Sequence, residues 1–242
     1  ILNINKNVIN GRIINTSSYL NNKNISLLEL PFDVNNYYSQ ELLLDKNRNF
    51  KDGNNTYKLL IGENFLGMSP RINKLIKNKN WDFSKYPSKG KKLKKIINDK
   101  YSVENYNICI TKGITNTLIL LTSNLVKKYH EILITDPSWF RFIEICDSKN
   151  LVKIISDCDI VNNKLKINFN DLFKKITPLT RLIYLVYPFD VNNFEKFLDK
   201  LPFNIIVVID MCYYNFIEGE YPIDIKKYIN NKMILFLFSM SK

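Results

Sequence analysis

The last residues of the chain combine a lysine with two hydroxyl side chains, a set that can bind and attack an anionic aldehyde. Ser239, Ser241 and Lys242 follow an apolar run that begins at Met233 and is typical of a buried strand. Such a strand would hold the lysine at its mouth, where desolvation favours the neutral, nucleophilic amine. The two hydroxyls suit a phosphate. By itself the pattern is more often an ordinary strand that ends in a solvated lysine.

Two further segments place candidate ligand-binding residues directly after predicted strands. The strand predicted at 107–111 runs into a helix through Gly113, and the free backbone N–H groups of such a helix would bind a phosphate at Ile114 and Thr115. The next strand is followed by Trp139, whose ring could cover the face of a flat ligand. Each feature alone is more often a simple turn or a core aromatic.

Two carboxylates follow later strands in the same way. Asp210 closes the apolar run 205–209, where an ionised carboxylate is costly unless it faces a cation, and Tyr213 follows shortly after. Asp190 lies in a polar, turn-forming loop that begins at Tyr187. Because ligands of open α/β sheets bind outside the carboxyl ends of the strands, we expect these side chains to share one site.

One ligand accounts for the whole set: pyridoxal phosphate, an aromatic aldehyde with a basic ring nitrogen and a phosphate. It requires a lysine for a Schiff base and a carboxylate that keeps the ring nitrogen protonated. It also requires an aromatic side chain against the ring and an anion-binding turn. Lys242, Asp210, Trp139 and the turn at Gly113 supply these four parts. The combination is far more specific than any member.

Residues 58–242 resemble the large domain of fold-type I, class I/II aminotransferases, which depend on pyridoxal phosphate. They are most similar to the histidinol-phosphate aminotransferase branch. The resemblance implies an α/β fold with a mostly parallel sheet, helices on both faces, and a small C-terminal domain that lies outside this chain. It depends on six segments: Glu63-Asn64, Tyr86-Pro87, Thr111-Lys-Gly113-Ile-Thr115-Asn116, Asp136-Pro-Ser-Trp139, Asp210-Met-Cys-Tyr213 and Ser239-Met-Ser241-Lys242.

The resemblance also implies a role for each matched residue. Lys242 would form the Schiff base and then act as general base, and Asp210 would pair with the ring nitrogen. Tyr213 and Asp190 would face the ring 3-oxygen, and Trp139 would stack on the ring. The phosphate would be held by Ile114, Thr115, Ser239, Ser241 and the partner subunit's Tyr86. The implied protein is a homodimeric aminotransferase that acts on a 2-oxo acid and an amino acid or amino-acid-like amine, including phosphorylated ones.

The chain departs from the family pattern in the loop after Tyr187. Asp190 stands where the family has an asparagine that donates to the ring oxygen, and an ionised aspartate cannot donate. Either Asp190 is protonated, or Asn192 replaces it, or the site is weakened. The two arginines that the family uses for the phosphate and the substrate carboxylate would lie beyond Lys242.

Two other functions remain open at this stage. A decarboxylase of an amino-acid phosphate would use the same cofactor and every residue named above, because fold and cofactor do not determine the reaction. A non-catalytic homologue would keep the fold for binding alone. Asp190 favours that second interpretation, whereas Asp210 and Lys242 oppose it.

Composition argues against several other classes. The chain of 242 residues is 45% hydrophobic, has no apolar run near the roughly 20 residues that cross a bilayer, and carries four scattered cysteines. These features predict one large α/β domain in the reducing cytoplasm. The single histidine, His130, argues against histidine-based metal sites and Ser-His-Asp chemistry. A net charge of +12 comes from dispersed lysines, which favour solvated helix faces over nucleic-acid binding.

The segment order predicts the architecture. Residues 1–57 are weakly patterned, and 58–242 form the proposed cofactor-binding domain. Since the chain starts at Ile1 and ends directly after a strand, we expect it to be a segment of a longer protein. Strands are predicted at 58–61, 107–111, 131–135, 151–156, 181–187, 205–210 and 232–238, and helices at 69–78, 91–100, 113–128, 139–149, 170–176 and 191–200.

Overall fold

The computed structural model describes residues 8–9, 12–13, 67–78, 84, 86, 90–104, 107–162, 164–217, 223–229 and 233–241. The chain divides into two compact units, residues 1–63 with 140–150 and residues 64–139 with 151–242. The described strands are β1 (Val8–Ile9), β2 (Arg12–Ile13), β3 (Glu131–Asp136), β4 (Val152–Asp157), β5 (Asp159–Val161), β6 (Lys164–Lys166), β7 (Thr180–Val186), β8 (Ile206–Asp210) and β9 (Ile234–Leu237).

Helices alternate with these strands. The described helices are α1 (Pro70–Asn78), α2 (Lys91–Tyr101), α3 (Gly113–Leu125), α4 (Phe140–Ser148), α5 (Phe169–Lys174), α6 (Val191–Leu198) and α7 (Ile225–Ile229). In the first unit, the described elements are the antiparallel pair β1–β2 and helix α4. The other described elements belong to the second unit.

The second unit is built on a five-stranded sheet with the order β4-β3-β7-β8-β9, in which every neighbouring pair is parallel. The carboxyl ends of all five strands therefore lie along one edge. In the centre of that edge, Val186 is paired with Asp210, and Asp210 with Leu237. Backbone hydrogen bonds continue past the strand ends, from the Tyr187 N–H to the Asp210 carbonyl (3.0 Å) and from Met211 to Leu237 (2.8 Å).

The central strands are buried on both faces. Ile132, Leu133 and Ile134 follow one another in β3 and are all fully buried, as are Val207, Val208 and Ile209 in β8. Since successive side chains of a strand point to opposite faces, both faces must be covered. The predicted fold class, an α/β domain with a mostly parallel sheet, is confirmed.

One face of the sheet forms a phenylalanine-rich core with helices α5 and α6. Phe169 and Leu172 of α5 and Phe194 and Phe197 of α6 belong to a single cluster with the strand residues Leu133, Ile183, Leu185, Val207 and Ile209. The rings of Phe169 and Phe197 lie 5.3 Å apart. Each buried phenylalanine contributes about 1.5–3 kcal/mol by leaving water, so this cluster fixes both helices against the strands that carry the site.

Most of the predicted elements are confirmed to within a few residues. Helix α3 is shorter than predicted: it ends at Leu125 because Val126 turns to an extended conformation (φ −115°, ψ 127°) and buries its side chain. The hairpin β5–β6 and helix α7 were not predicted. The predicted strand 58–61 lies outside the described residues, and the boundary at 57/58 stays a prediction.

The strand predicted at 107–111 is wrong. The segment is apolar enough for a strand, but it pairs with none of the described strands, and Cys109 and Ile110 are exposed. A strand is stabilised by the backbone ladder to a neighbour, and without that ladder the apolar pattern alone does not form one. Within the described part of the chain, no helix is both long and apolar enough to cross a membrane.

Candidate functional site

Asp210 is the buried acid at the centre of the carboxyl edge. It closes β8, and only 5% of its surface is exposed. Its carboxylate is fully engaged by neighbours: Oδ2 accepts a hydrogen bond from the Tyr184 hydroxyl (2.5 Å) and Oδ1 accepts one from the Cys212 backbone N–H (2.9 Å). Both bonds fix the direction of the carboxylate at the mouth of the sheet.

Burial raises the pKa of Asp210, while the hydrogen bonds from Tyr184 and Cys212 act in the opposite direction. The carboxylate therefore carries a desolvation cost that two neutral donors offset only in part. A cation beside it would stabilise the ionised form. This is the electrostatic condition that a protonated ring nitrogen would satisfy.

Tyr184 was missed by sequence reasoning. It lies in β7, is fully buried, and points to the same face as Asp210, because Tyr184 pairs with Val208 and strand side chains alternate. Burial and the charge of Asp210 raise the pKa of its hydroxyl, which is therefore a proton donor to the carboxylate. The available signal was a single tyrosine in the apolar part of the strand, residues 182–186, since a buried tyrosine hydroxyl needs a partner.

The turn into α3 contains the predicted glycine turn, and its role in phosphate binding stays a prediction. Gly113 adopts φ +87°, a conformation that favours glycine, and no side chain caps the helix start. The hydroxyls of Thr111 and Thr117 are hydrogen-bonded to each other (2.6 Å), and Thr117 also donates to the Gly113 carbonyl (3.1 Å). The threonines thus brace the turn, whereas the N–H groups of the first helical turn have no intrahelical acceptor.

The other predicted phosphate-binding residues lie at the start of α3 and after β9. Ile114 is buried and Thr115 is exposed, as expected for successive residues at the start of a helix that packs on one side. Beyond β9, the hydroxyls of Ser239 and Ser241 are hydrogen-bonded to each other (2.5 Å), and the Ser241 N–H donates to the Ser239 hydroxyl (3.2 Å). The two serines therefore form one compact polar turn.

The segment after β3 holds a polar atom without a partner. The hydroxyl oxygen of Ser138 is buried, and it has no hydrogen-bond partner in the described part of the chain. Trp139 follows it and is half-buried. A buried hydroxyl without a partner costs free energy, so this position is suited to a ligand that supplies the missing hydrogen bond. Sequence reasoning missed Ser138.

Asp190 begins helix α6 as its N-cap. Its Oδ1 accepts a hydrogen bond from the Asn193 backbone N–H (3.0 Å), and its backbone carbonyl accepts from Phe194 (3.0 Å). An N-cap carboxylate is an acceptor, so the geometry accounts for an acidic residue here by local helix stability. Its predicted contact with the ring oxygen stays a prediction.

The remaining site residues are either exposed or not described. Tyr213 is 45% exposed and packs edge-on against Phe216 with ring centroids 6.3 Å apart. Tyr86 is fully exposed, at 100%. Lys242 lies outside the described residues, as do Glu63, Asn64 and Pro87 of the matched segments. Among the described members, those that close or follow strands lie along one edge of the sheet by the parallel topology: Trp139, Asp190, Asp210, Tyr213, Ser239 and Ser241. Their joint contact with one ligand stays a prediction.

The chain belongs to the aminotransferase class I and II family, whose family model matches residues 56–242. The predicted resemblance to this family is thereby confirmed. It extends over the whole described part of the second unit and includes every site residue named above.

The chain is similar to histidinol-phosphate aminotransferases, as predicted. It is 26% identical over 202 residues to the enzyme of Pelagibacter ubique, covering 76% of this chain and 53% of that relative. It is 26% identical over 178 residues to histidinol-phosphate aminotransferase 2 of Carboxydothermus hydrogenoformans, covering 69% and 48%. The chain thus spans about half the length of the curated relatives it matches.

A solved structure supports the fold. The crystal structure of histidinol-phosphate aminotransferase from Sinorhizobium meliloti in complex with pyridoxal 5'-phosphate matches with a TM-score of 0.68 and 17% sequence identity. The match covers 75% of this chain and 51% of that one. The match therefore supports the fold of the part of this chain that it covers.

Proposed function

We propose that this chain is the cofactor-binding part of a pyridoxal-phosphate-dependent aminotransferase. Family membership supports the class, and the observation that carries the proposal is Asp210: a buried carboxylate at the carboxyl end of a central strand. Its two hydrogen-bond donors among the described residues, Tyr184 and Cys212, are neutral, so a ligand cation would balance its charge. A protonated pyridine nitrogen provides that charge.

The residues present fit pyridoxal phosphate. The uncapped start of α3 at Ile114 and Thr115, with the Ser239–Ser241 turn, would hold the phosphate. The half-buried ring of Trp139 would cover the ring of the cofactor, and Tyr213 would face its 3-oxygen. The buried hydroxyl of Ser138, which has no partner in the described part of the chain, fits a site that is completed by a polar ligand.

Each residue then has a defined task in amino-group transfer. When bound, the cofactor supplies an electron sink that stabilises negative charge at the substrate α-carbon. Lys242 would hold the cofactor covalently through its amine, release it to the incoming amine, and then move the proton between two carbons as general base. Asp210 would hold the proton on the ring nitrogen, and the hydrogen bond from Tyr184 would fix the orientation of the Asp210 carboxylate.

The substrates proposed are an amino acid or amino-acid-like amine and a 2-oxo acid. The relatives are named for histidinol phosphate, which supports a phosphorylated amine as one of them. The complete exposure of Tyr86 is consistent with its proposed reach into a partner subunit, so we propose a homodimer. The described cysteines, Cys109, Cys146, Cys158 and Cys212, are free thiols, which supports a location in the cytoplasm.

The first test asks whether Lys242 holds the cofactor. The full-length protein is mixed with pyridoxal phosphate, its visible absorption spectrum is recorded, and the mixture is reduced with borohydride before peptide mass mapping. The expected result is a visible band and a reduced adduct on Lys242. Lys242→Ala should lose the adduct and all turnover, while Lys226→Ala, an exposed lysine on α7, should keep both.

The same experiment separates the enzyme from a non-catalytic homologue. The carboxylate of Asp190 acts as a helix cap and hydrogen-bond acceptor, which favours the second candidate. A folded protein with no band and no adduct would overturn the enzyme proposal. A band and adduct with transfer of the amino group to a 2-oxo acid would support it, whereas release of carbon dioxide from an amino-acid phosphate would identify a decarboxylase instead.

A further inference from the structure

A second cluster of basic side chains lies at the amino edge of the sheet, opposite the proposed cofactor site. A cavity of about 310 Å³ is lined by the end of α3 and the segment that follows it, by residues 178–181 at the start of β7, and by Asn204 just before β8. Lys127, His130 and Arg181 line it, and the described residues that complete the lining are uncharged, among them Asn124 and Thr180. The cavity therefore gathers basic groups and, within the described lining, no carboxylate.

The three basic groups act on one another. The pKa of His130 is lowered, first by burial and then by the positive charges of Arg181 and Lys127. Like charges around one cavity repel, and a bound anion would reduce this repulsion. The carboxylate of Glu131, which begins β3, is outside the described lining, where it accepts hydrogen bonds from the neutral hydroxyls of Thr177 (2.5 Å) and Thr180 (3.3 Å).

Each basic group has a donor to offer. One Nη1 N–H of Arg181 donates to the Asn204 carbonyl, which orients the guanidinium, and the group has five N–H donors in total. Nδ1 of His130 accepts from the Lys127 backbone N–H (3.1 Å), so the neutral ring carries its proton on Nε2. The Lys127 ammonium lies 5.8 Å from the Tyr129 ring centroid on an exposed side chain that is free to turn.

We propose that this cavity binds a small multivalent oxyanion, of the class that includes sulfate, phosphate and short dicarboxylates. A dianion would neutralise the charges of Lys127 and Arg181 and would accept a hydrogen bond from the His130 Nε2–H. The guanidinium of Arg181 is planar and could donate to two oxygen atoms of the anion at once. The volume lies at the lower end of the range for small-molecule sites. Because the site lies at the opposite end of the strands, it shares no residue with the proposed cofactor site.

The single histidine of the chain makes this cavity directly observable. His130 is the one imidazole in the sequence, so its proton NMR signals report on this site alone. Sodium sulfate is titrated into the 242-residue chain at constant ionic strength. We expect a saturable shift of the His130 signals and a rise of the pKa of His130, because a bound dianion favours the imidazolium. Arg181→Gln should weaken sulfate affinity by about tenfold or more, as for a lost charge-assisted contact.

Two matched variants separate a site from a general effect of charge. Lys127→Gln should weaken sulfate binding, whereas Lys128→Gln removes the same charge one residue away, outside the described lining, and should leave the affinity within twofold. Both lysines are exposed, so folding is preserved. Equal losses of sulfate affinity in the two variants would overturn the proposal. Ser241 lies at the opposite edge of the sheet, so a loss of the His130 response in Ser241→Ala would also overturn it.

Phosphate and succinate replace sulfate in the final titrations. Saturation by any of the three supports the proposed class, and their affinities rank its members. Sulfate stays a dianion as pH changes, whereas the charge of phosphate varies, so the two together show how binding depends on the charge of the anion. The absence of a saturable His130 response to all three would overturn it. None of these readouts depends on bound pyridoxal phosphate, so the proposal stands or fails independently of the proposed enzyme activity.

Discussion

The two edges of the central sheet differ in how their charges are held. At the carboxyl edge, three strands close on aspartates, Asp136, Asp157 and Asp210, and Asp210 is buried with both oxygens engaged. At the amino edge, Lys127 and Arg181 lie beside an open cavity in contact with solvent. The same parallel topology thus places a fixed buried acid at one end and adaptable cations at the other.

This difference determines how large an effect the substitution of a single charged side chain should have. A buried carboxylate interacts strongly with the groups around it because little water screens it, so its loss should have a large effect. Exposed cations are screened by water and salt, and their contributions are individually small. Substitutions at the carboxyl edge should therefore have larger effects than any at the amino edge.

Asp210→Asn is expected to have the largest effect. The amide has the same shape but no charge, so it cannot keep a ring nitrogen protonated, and turnover should fall by about 100-fold or more, as when one preorganised electrostatic contact is removed. The measurement is the rate of amino-group transfer, with pyridoxal phosphate at saturation. A variant that retains wild-type turnover would show that Asp210 does not serve the cofactor.

The same substitution changes the pH dependence of stability. Because burial raises the pKa of Asp210 in the folded state, the folded protein binds a proton more readily than the unfolded one. This acid therefore lowers stability as pH rises from its unfolded pKa through its folded pKa. Urea unfolding of the cofactor-free protein should show that slope in the wild type and a smaller one in Asp210→Asn.

Tyr184→Phe should have the next largest effect. It removes the hydroxyl that donates to the buried carboxylate and should destabilise the protein by about 1–3 kcal/mol, the usual cost of an unsatisfied buried acceptor. Since that hydrogen bond lowers the pKa of Asp210, its loss raises this pKa further, and the destabilisation should be larger at pH 7.5 than at pH 5.

Tyr228→Phe provides the matched control for Tyr184. The Tyr228 hydroxyl also donates to a carboxylate, Glu195 (2.7 Å), but that carboxylate has a second donor in Lys227 (2.5 Å). Its loss should therefore cost less than the loss at Tyr184. Equal losses of unfolding free energy in the two variants would contradict the prediction that the buried Tyr184–Asp210 hydrogen bond contributes more to stability.

Asp190 should show a smaller effect. Asp190→Asn keeps the cap of α6, because asparagine and aspartate are equivalent N-caps, and it adds an amide donor toward the proposed ring oxygen. Stability should stay within about 0.5 kcal/mol and cofactor affinity should rise, whereas Asp190→Ala should lose about 1 kcal/mol. Urea unfolding and cofactor titration measure both. A fall in affinity for Asp190→Asn would argue that the carboxylate itself is needed.

The sequence was informative where one local signal sufficed. Continuous apolar runs such as 205–209 identify strands buried on both faces, and Asp210 stands out because an acid directly follows such a run. The glycine turn at Gly113 was identifiable for the same reason, since a turn that leads into a helix is a local feature. Asp190 was identified as a departure, but its role as the cap of α6 became evident only from the hydrogen bond to Asn193.

Features that depend on tertiary contacts were not predictable. The hydrogen bond from Tyr184 joins two strands diagonally, so no spacing in the sequence encodes it. Lys127, His130 and Arg181 meet only because parallel strands bring the segment before β3 and the start of β7 to one edge. The strand prediction at 107–111 was wrong for a related reason. The local pattern fits a strand, but a strand also requires a neighbouring strand to pair with.

The reactivity of Cys158, which follows the edge strand β4, reports on the charge at the outer end of the carboxyl edge. Substitutions there should have the smallest effect of those considered. Burial raises the pKa of its thiol to about 11, and the nearby carboxylates of Asp136, Asp159 and Asp157 add to the shift. At pH 8 only about one thiol in a thousand is then ionised, so iodoacetamide should modify exposed Cys109 well before Cys158. Peptide mass mapping over time measures both rates.

The pH dependence of this reaction identifies the cause of the slow modification. If the thiol pKa is raised, the rate at Cys158 should keep increasing as pH approaches about 11, since the thiolate is the reactive form. Asp157→Asn removes one of the charges that oppose ionisation and should make Cys158 react faster at pH 8, with Cys109 unchanged. A rate that levels off near the ordinary thiol pKa of about 8.5 would instead mean that access, and not charge, protects Cys158. The carboxyl edge would then be less negative around β4 than its aspartates indicate.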